Sequence, residues 1–470
     1  CAKRSAANAY KIRRQRFSVR RIFLLAALCA VAIASPHAQP AAPARPNIVL
    51  IITDDVGYGD IGSYGAPDIK TPNIDSLAKA GVRFTQFYAN GSSCTPTRAG
   101  LISGRYQQRY ALENPLGHAA TNDGKSGLPA TGRSLPQLLR NQGYATGLIG
   151  KWHLGYLPQF SPKAHGFDSF FGFKAGYIDY YQHTDRGGQP DLFEDDKPIA
   201  TTGYMTDLIT ERSVKFISDH ARSPFFLEVA YNAAHWPYQV PDHPSTAIDT
   251  ARHITALDEN PGTRADYVKI MERADQGIGK ILATLDSLQL SANTLVIFTN
   301  DNGGEWLSRN APLFNRKFTL YEGGIRVPAI MRWPGRIPAN QVTSQVGITM
   351  DLTRTILTAA GATVLADARL EGIDLVPLVR AGAAPQSRRL YWRVAFTGLR
   401  QRAIRDGDWK LLIDGDERVM LFDVAKDLGE RNDVAVSNTA IVRRLFQQYQ
   451  AWEKDVDAEA KTRGSASGAK

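Results

Sequence analysis

Four short apolar runs, each followed closely by ionisable residues, constrain this chain of 470 residues more than any other feature. Asn47-Ile-Val-Leu-Ile-Ile52 leads to Asp54 and Asp55, and Ala145-Thr-Gly-Leu-Ile149 leads to Lys151 and His153. Phe225-Phe-Leu-Glu-Val-Ala230 leads, after a short turn, to His235. Thr294-Leu-Val-Ile-Phe298 leads to Asp301 and Asn302. Runs of this length, rich in β-branched and aromatic residues, read as buried strands. Helical segments lie between them, so the pattern predicts an α/β fold: a large, mostly parallel sheet sandwiched by helices. In such sheets ligands bind beyond the carboxyl ends of the strands. The ionisable groups are therefore expected to share one crevice.

The helices have clear signals. Thr71-Pro72 starts a helix that Gly81 closes, and Asp266 to Leu285 has a long amphipathic pattern. Past about residue 385 the character changes to short strands separated by Gly and Asp turns: 390–396, 401–404, 409–413 and 419–422. A last helix is expected from Asn438 to Asp455. This predicts a small C-terminal α+β subdomain of antiparallel strands and one helix. The expected organisation is residues 1–45 as export signal and linker, 46–385 as the catalytic domain, 386–460 as the C-terminal subdomain and 461–470 as a disordered tail.

The net charge of +10 suggests a polyanion partner only until it is located. Nine of the 56 basic residues fall in residues 1–45, which hold no acidic residue; the remainder carries 47 basic against 46 acidic residues. A near-neutral body gives no electrostatic reason to bind nucleic acid. The basic stretch Lys11 to Arg21, the apolar run Ile22 to Ile33 and the small residues Ala32, Ala34 and Ala38 read as an export signal. The apolar run is too short to span a bilayer, so no stable membrane anchor is expected and the protein is placed in the periplasm or outside the cell. Val19-Arg20-Arg21-Ile22-Phe23-Leu24-Leu25 also fits a twin-arginine signal.

Of three cysteines, Cys1 and Cys29 lie in or before the leader, which leaves Cys94 alone in the exported part. A lone cysteine in an oxidising compartment is either buried and inert or reactive. Pro96 suits the first turn of a helix that Gly104 ends, which sets Cys94 at the helix start. That end carries unpaired N–H groups and favours an anion. Arg98, four residues on, adds a cationic fork on the same face. Spacing alone leaves both readings of Cys94 open.

Asp54, Asp55, Asp301 and Asn302 offer oxygen ligands only, which suit a hard cation such as Ca²⁺ or Mg²⁺ and not zinc. One acidic pair alone is more often a solvated turn. Two pairs at the ends of two inner strands favour a metal.

Cys94-x-Pro96-x-Arg98 followed by Ala-Gly-Leu-Ile-Ser-Gly104-Arg105 resembles the hallmark of the type I sulfatases, which share the alkaline-phosphatase-like fold. Pro46 to Asp55, Thr71-Pro-Asn-Ile-Asp75, Gly150-Lys-Trp-His-Leu-Gly155, His165-Gly-Phe-Asp168, Glu322 to Pro328, Asp406 to Leu411 and Leu421-Phe-Asp-Val424 extend the resemblance over nearly the whole exported chain. Thr97 replaces the serine most often found there and keeps its hydroxyl.

The resemblance implies an arylsulfatase-like sulfuric ester hydrolase in which a formylglycine-generating enzyme oxidises Cys94 to formylglycine. It implies one Ca²⁺, ahead of Mg²⁺, held by Asp54, Asp55, Asp301 and Asn302 with a contribution from residue 94. It marks Arg98, Lys151, His153, His235 and Lys317, singly unremarkable, as catalytic. The implied reaction takes an aryl or carbohydrate sulfate to alcohol and sulfate through a formylglycine hydrate and a sulfated enzyme. His235, with Lys317, would protonate the leaving alcohol, and His153 would accept the proton that frees sulfate. Two rival readings are a phosphate or phosphonate monoester hydrolase on the same fold and an inactive protein that recognises sulfated glycans and keeps an unmodified thiol at Cys94. The aromatic stretch Gly176 to Thr184 reads either as packing or as a platform for a sugar ring.

Overall fold

The computed structural model describes residues 45–117, 126–243, 262–363, 366–396 and 398–467. The leader expected in residues 1–45 lies, apart from Arg45, outside them. Its strands are β1 (Asn47–Thr53), β2 (Val82–Phe84), β3 (Phe87–Tyr88), β4 (Ala145–Lys151), β5 (Ser169–Phe173), β6 (Phe193–Glu194), β7 (Lys197–Pro198), β8 (Phe225–Ala230), β9 (Thr294–Asn300), β10 (Ala329–Arg332), β11 (Gln341–Thr343) and β12 (Gly347–Ile348). Four more, β13 (Arg389–Phe396), β14 (Leu399–Asp406), β15 (Trp409–Asp414) and β16 (Arg418–Asp423), complete the set.

Among the described residues, ten strands form one sheet in the order β11-β2-β10-β9-β1-β8-β4-β5-β6-β7. Its centre is parallel: β1 pairs with β8 and β9, and β4 pairs with β8 and β5. β10 enters antiparallel against β9.

Side chains alternate across a strand, and β1 shows why its run is apolar throughout. Ile48, Leu50 and Ile52 enter one core, while Val49 and Ile51 enter the other. The first core is closed by the Cys94–Ser103, Leu135–Arg140 and Thr349–Ala359 helices, through residues such as Leu101, Leu135 and Ile356. The second is closed by the Pro72–Lys79, Met205–Asp219 and Arg264–Ser287 helices, through Leu77, Ile217 and Ile278. This is the expected α/β sandwich.

β13 to β16 form an antiparallel meander covered by the Thr439–Ser467 helix. Its core is shared with the larger layer: Trp392, Leu411 and Leu421 pack in one cluster with Tyr88, Ile325 and Ile348. From Arg45 on, the described residues accordingly form one compact unit. The last helix continues well past Asp455, so residues 461–467, expected as disordered tail, are helical. The segment 454–461 is rich in Ala, Lys, Glu and Asp, and strong helix formers among them propagate a helix that packing has already nucleated. Residues 468–470 lie outside the described ones.

Among the described residues, no helix is long and apolar enough to cross a membrane.

Candidate active site

The four strands singled out by their endings are neighbours, in the order β9, β1, β8, β4, and all run parallel. Their carboxyl ends open on one edge. Asp54 and Asp55 follow β1 there, Asp301 and Asn302 follow β9, and His235 follows β8 after a turn. Lys151 is the last residue of β4 rather than the first beyond it, and His153 comes two later with a left-handed φ of 57°.

Cys94 opens the Cys94–Ser103 helix, with extended Ser93 before it and Gly104 closing it at φ 66°. Thr97 folds the approach back on itself, because its hydroxyl bonds both the N–H and the C=O of Gly91 at 3.1 Å. Phe318 N–H donates to Ser92 O at 2.7 Å, which ties the loop bearing Lys317 to the loop bearing the thiol.

Three buried carboxylates each meet one buried cation. Lys151 Nζ lies 2.5 Å from Asp54 Oδ2, Lys317 Nζ lies 2.7 Å from Asp55 Oδ2, and Arg98 Nη2 lies 3.0 Å from Asp301 Oδ2. Arg98 also donates through Nε to the same oxygen at 3.3 Å and through Nη1 to Lys151 O at 3.2 Å. Burial pushes the Asp54 carboxyl up, Asp301 adds to this, and Lys151 opposes it. Burial also acts on Asp55, but Lys317 and His235 overcome it and hold that carboxyl below the usual range.

The same carboxylates suit a cation. Asp54, Asp55 and Asp301 bring one oxygen each within 4.8 Å of one another, and so do the ligand atoms of Asp54, Cys94 and His235. Asn302 Nδ2 donates to Asp55 Oδ1 at 2.7 Å. Asn302 Oδ1 and Asp54 Oδ1 are buried with no hydrogen-bond partner. Buried orphan oxygens are costly, and an oxygen-only donor set with two of them fits a hard divalent ion.

The two histidines are held in opposite senses. His153 Nε2–H donates to Leu116 O at 2.9 Å, which leaves Nδ1 buried, unpartnered and carrying the lone pair. Thr95 couples this to the nucleophile helix: its hydroxyl donates to His153 O at 3.0 Å and accepts from Leu116 N at 3.1 Å. Gly176 lies under the ring, where a Cβ would meet His153 Cε1 at 2.2 Å. His235 is bonded the other way round, with Nδ1–H donating to Trp236 O at 2.6 Å and Nε2 lying 3.5 Å from both Lys317 Nζ and Asp55 Oδ2. Burial pushes its imidazole down to about 3, with Asp55 opposing and Lys317 assisting. Burial and Lys151 likewise lower His153.

All ten residues marked in the sequence thus meet on one edge of the sheet. His165, His183 and His220 do not: each bonds a backbone carbonyl elsewhere. His118 and His253 lie outside the described residues. In the aromatic stretch, Tyr180 is packing, stacked on Tyr204, while Tyr177 lies against Trp236 and lines a crevice with Asp54 and His235. Sequence reasoning missed Glu305, whose Oε2 lies 3.2 Å from Lys317 Nζ. Its only advance signal was its place three residues past Asn302.

Residues 46–362 match the family model described as Sulfatase, and residues 310–455 match that of the C-terminal part of N-sulphoglucosamine sulphohydrolase. The chain belongs to the sulfatase family. This sulfatase is 36% identical to N-acetylgalactosamine-6-sulfatase of Sus scrofa over 375 residues, covering 75% of this chain and 69% of that one. It is 32% identical to arylsulfatase A of Homo sapiens over 487 residues, covering 93% and 92% of the two chains. Among solved structures it resembles Ps i-CgsB, with a TM-score of 0.79 and 32% identity over 87% of this chain and 92% of that one. The resemblance to the same protein in complex with k-i-k-neocarrahexaose has a TM-score of 0.78. The sulfatase is accordingly a sulfuric ester hydrolase.

Proposed function

We propose that this sulfatase hydrolyses sulfate esters of sugars, with Cys94 matured to formylglycine and a calcium ion held by Asp54, Asp55, Asp301, Asn302 and residue 94. The observation that carries this reading is the one-to-one pairing of three buried carboxylates with three buried cations around the helix end that starts at Cys94. Such a site has ligands for a metal and N–H donors for an anion side by side. The thiol itself is a poor nucleophile: burial pushes it up to about 11, against the pull of Lys151 and Lys317. Reaction near neutral pH therefore calls for another group on that carbon.

Hydrated formylglycine supplies an oxygen nucleophile on a carbon able to expel sulfate and return to the aldehyde. The ion, when bound, supplies Lewis-acid polarisation of the reacting oxygens. The remaining work falls to side chains of this chain. Lys151, Lys317 and Arg98, with their carboxylates engaged as ligands, donate to sulfate oxygens, whose charge moves to the leaving oxygen in the transition state. His235 with Lys317 protonates the leaving alcohol: His235 Nε2 lies 3.5 Å from Lys317 Nζ, so the two groups act at one place. His153, with its lone pair on buried Nδ1, takes up the proton released at residue 94.

A sugar substrate is supported by the names of relatives, N-acetylgalactosamine-6-sulfatase and the neocarrahexaose complex of Ps i-CgsB. Maturation requires a formylglycine-generating enzyme as partner, and the basic-then-apolar leader supports export to the periplasm or beyond. The test is hydrolysis of p-nitrophenyl sulfate, p-nitrophenyl phosphate and a phenylphosphonate ester, with mass spectrometry of the peptide containing residue 94. Sulfate turnover is expected to dominate and to track the aldehyde form. Dominant phosphonate turnover, or full activity with an intact thiol, would overturn the proposal.

A further inference from the structure

The members of the site differ sharply in exposure. The side chains of Asp54, Asp55, Asp301, Arg98, Lys151 and Lys317 are at most 3% exposed, whereas His235 is 16% and Glu305 is 18% exposed. The site therefore opens to solvent where His235 and Glu305 stand. Glu305 Oε2 is 3.2 Å from Lys317 Nζ, which itself lies 3.5 Å from His235 Nε2. These two partly exposed side chains flank one ammonium.

A carboxylate at that place is anti-complementary to sulfate, because like charges at close range repel. Lys317 also pairs with Asp55 at 2.7 Å, so Glu305 is not the sole partner of that ammonium. The part of the ester that passes this mouth is the alcohol. A partly exposed carboxylate, 18% open to solvent, has acceptor capacity beyond its contact with Lys317 and is matched by a hydrogen-bond donor.

From this arrangement we infer that Glu305 is the specificity-determining residue on the alcohol side. It accepts a hydrogen bond from a hydroxyl or amide N–H on the ring that carries the sulfate, and it disfavours rings with a second anionic group at that position. The inference rests on the sulfatase reading and narrows its substrate class to sugar sulfates with a free donor facing the mouth. A planar aryl sulfate offers no such donor.

The test compares kcat/KM for p-nitrophenyl sulfate with that for N-acetylgalactosamine 6-sulfate and galactose 4-sulfate, in the matured wild-type enzyme and in Glu305→Ala and Glu305→Gln. Thermal melting establishes that each variant is folded, and the near-isosteric glutamine guards against a loss of structure. In E305A the ratio of sugar-sulfate to aryl-sulfate kcat/KM should fall roughly 10- to 100-fold, the worth of one hydrogen bond to a charged acceptor. Most of the fall should lie in KM, and E305Q, which keeps one acceptor oxygen, should fall less. Equal losses on all three esters would reduce Glu305 to a holder of Lys317 and overturn the inference while leaving the sulfatase reading intact. Cleavage of no sulfate ester by the wild-type enzyme would overturn both.

Discussion

Lys151 Nζ sits 2.5 Å from Asp54 Oδ2, and neither side chain meets solvent. This lysine competes with any divalent ion for the same carboxylate, so its two effects should have opposite signs. In Lys151→Met, kcat/KM for p-nitrophenyl sulfate should drop about 10²- to 10³-fold, as when one preorganised donor is removed. Calcium affinity, measured by calorimetry, should rise, because a positive charge has left the ligand cluster. Parallel loss of both would count against the shared-carboxylate arrangement.

On the proposed reading, protein made without a formylglycine-generating enzyme keeps the Cys94 thiol, which burial pushes up to about 11. In the unfolded chain the same group titrates near about 8.5. At mildly alkaline pH, iodoacetamide should therefore label the denatured protein at least about a hundredfold faster than the native one. The sign for stability follows: this contribution is complete below about 8.5 and is lost as pH rises through about 11. Thermal melts of the unmatured protein should show that loss, and Cys94→Ala should lack it.

Lys410, in β15, is fully buried between Glu322 at 2.9 Å and Glu430 at 2.8 Å. Lys410→Met leaves two buried carboxylates without their shared cation and should cost about 3–5 kcal/mol in urea unfolding. The loop bearing Lys317 hangs on the same sheet, through Leu320 N–H to Gln401 Oε1 at 2.7 Å and Phe318 stacked on Phe396. Activity should fall more steeply than the folded fraction. A variant with wild-type stability and activity would remove the sheet from the support of that loop.

Gly176→Ala would place a methyl 2.2 Å from His153 Cε1. Overpacking of this kind costs about 1–3 kcal/mol, and the three atoms nearest that methyl all belong to the imidazole. The expected result is a reduced kcat with KM little changed and a modest fall in melting temperature. A substitution silent in kcat would show that the position of the His153 ring is not limiting.

Short-range chemistry was enough to mark the strand ends and the helix start that carry most of the site, while Lys317 entered only through the family resemblance. The apolar runs of β1, β4, β8 and β9 follow from strand periodicity, and the start of the Cys94–Ser103 helix follows from Pro96 and Gly104, all of which act over a few residues. Their endings in charged groups were visible for the same reason. Pairing was not. Lys317 meets Asp55 across 262 positions of chain, and Lys410 meets Glu322 across 88. Which cation serves which carboxylate depends on strand order and on how the loops beyond the strands cross, and no local propensity encodes either.

The same limit explains Glu305, an ordinary acidic residue until the fold brings it to the mouth beside His235. It also explains why His235 and Lys317, 82 positions apart in the chain, stand 3.5 Å from each other. Which side chains share one place is a property of the assembled molecule.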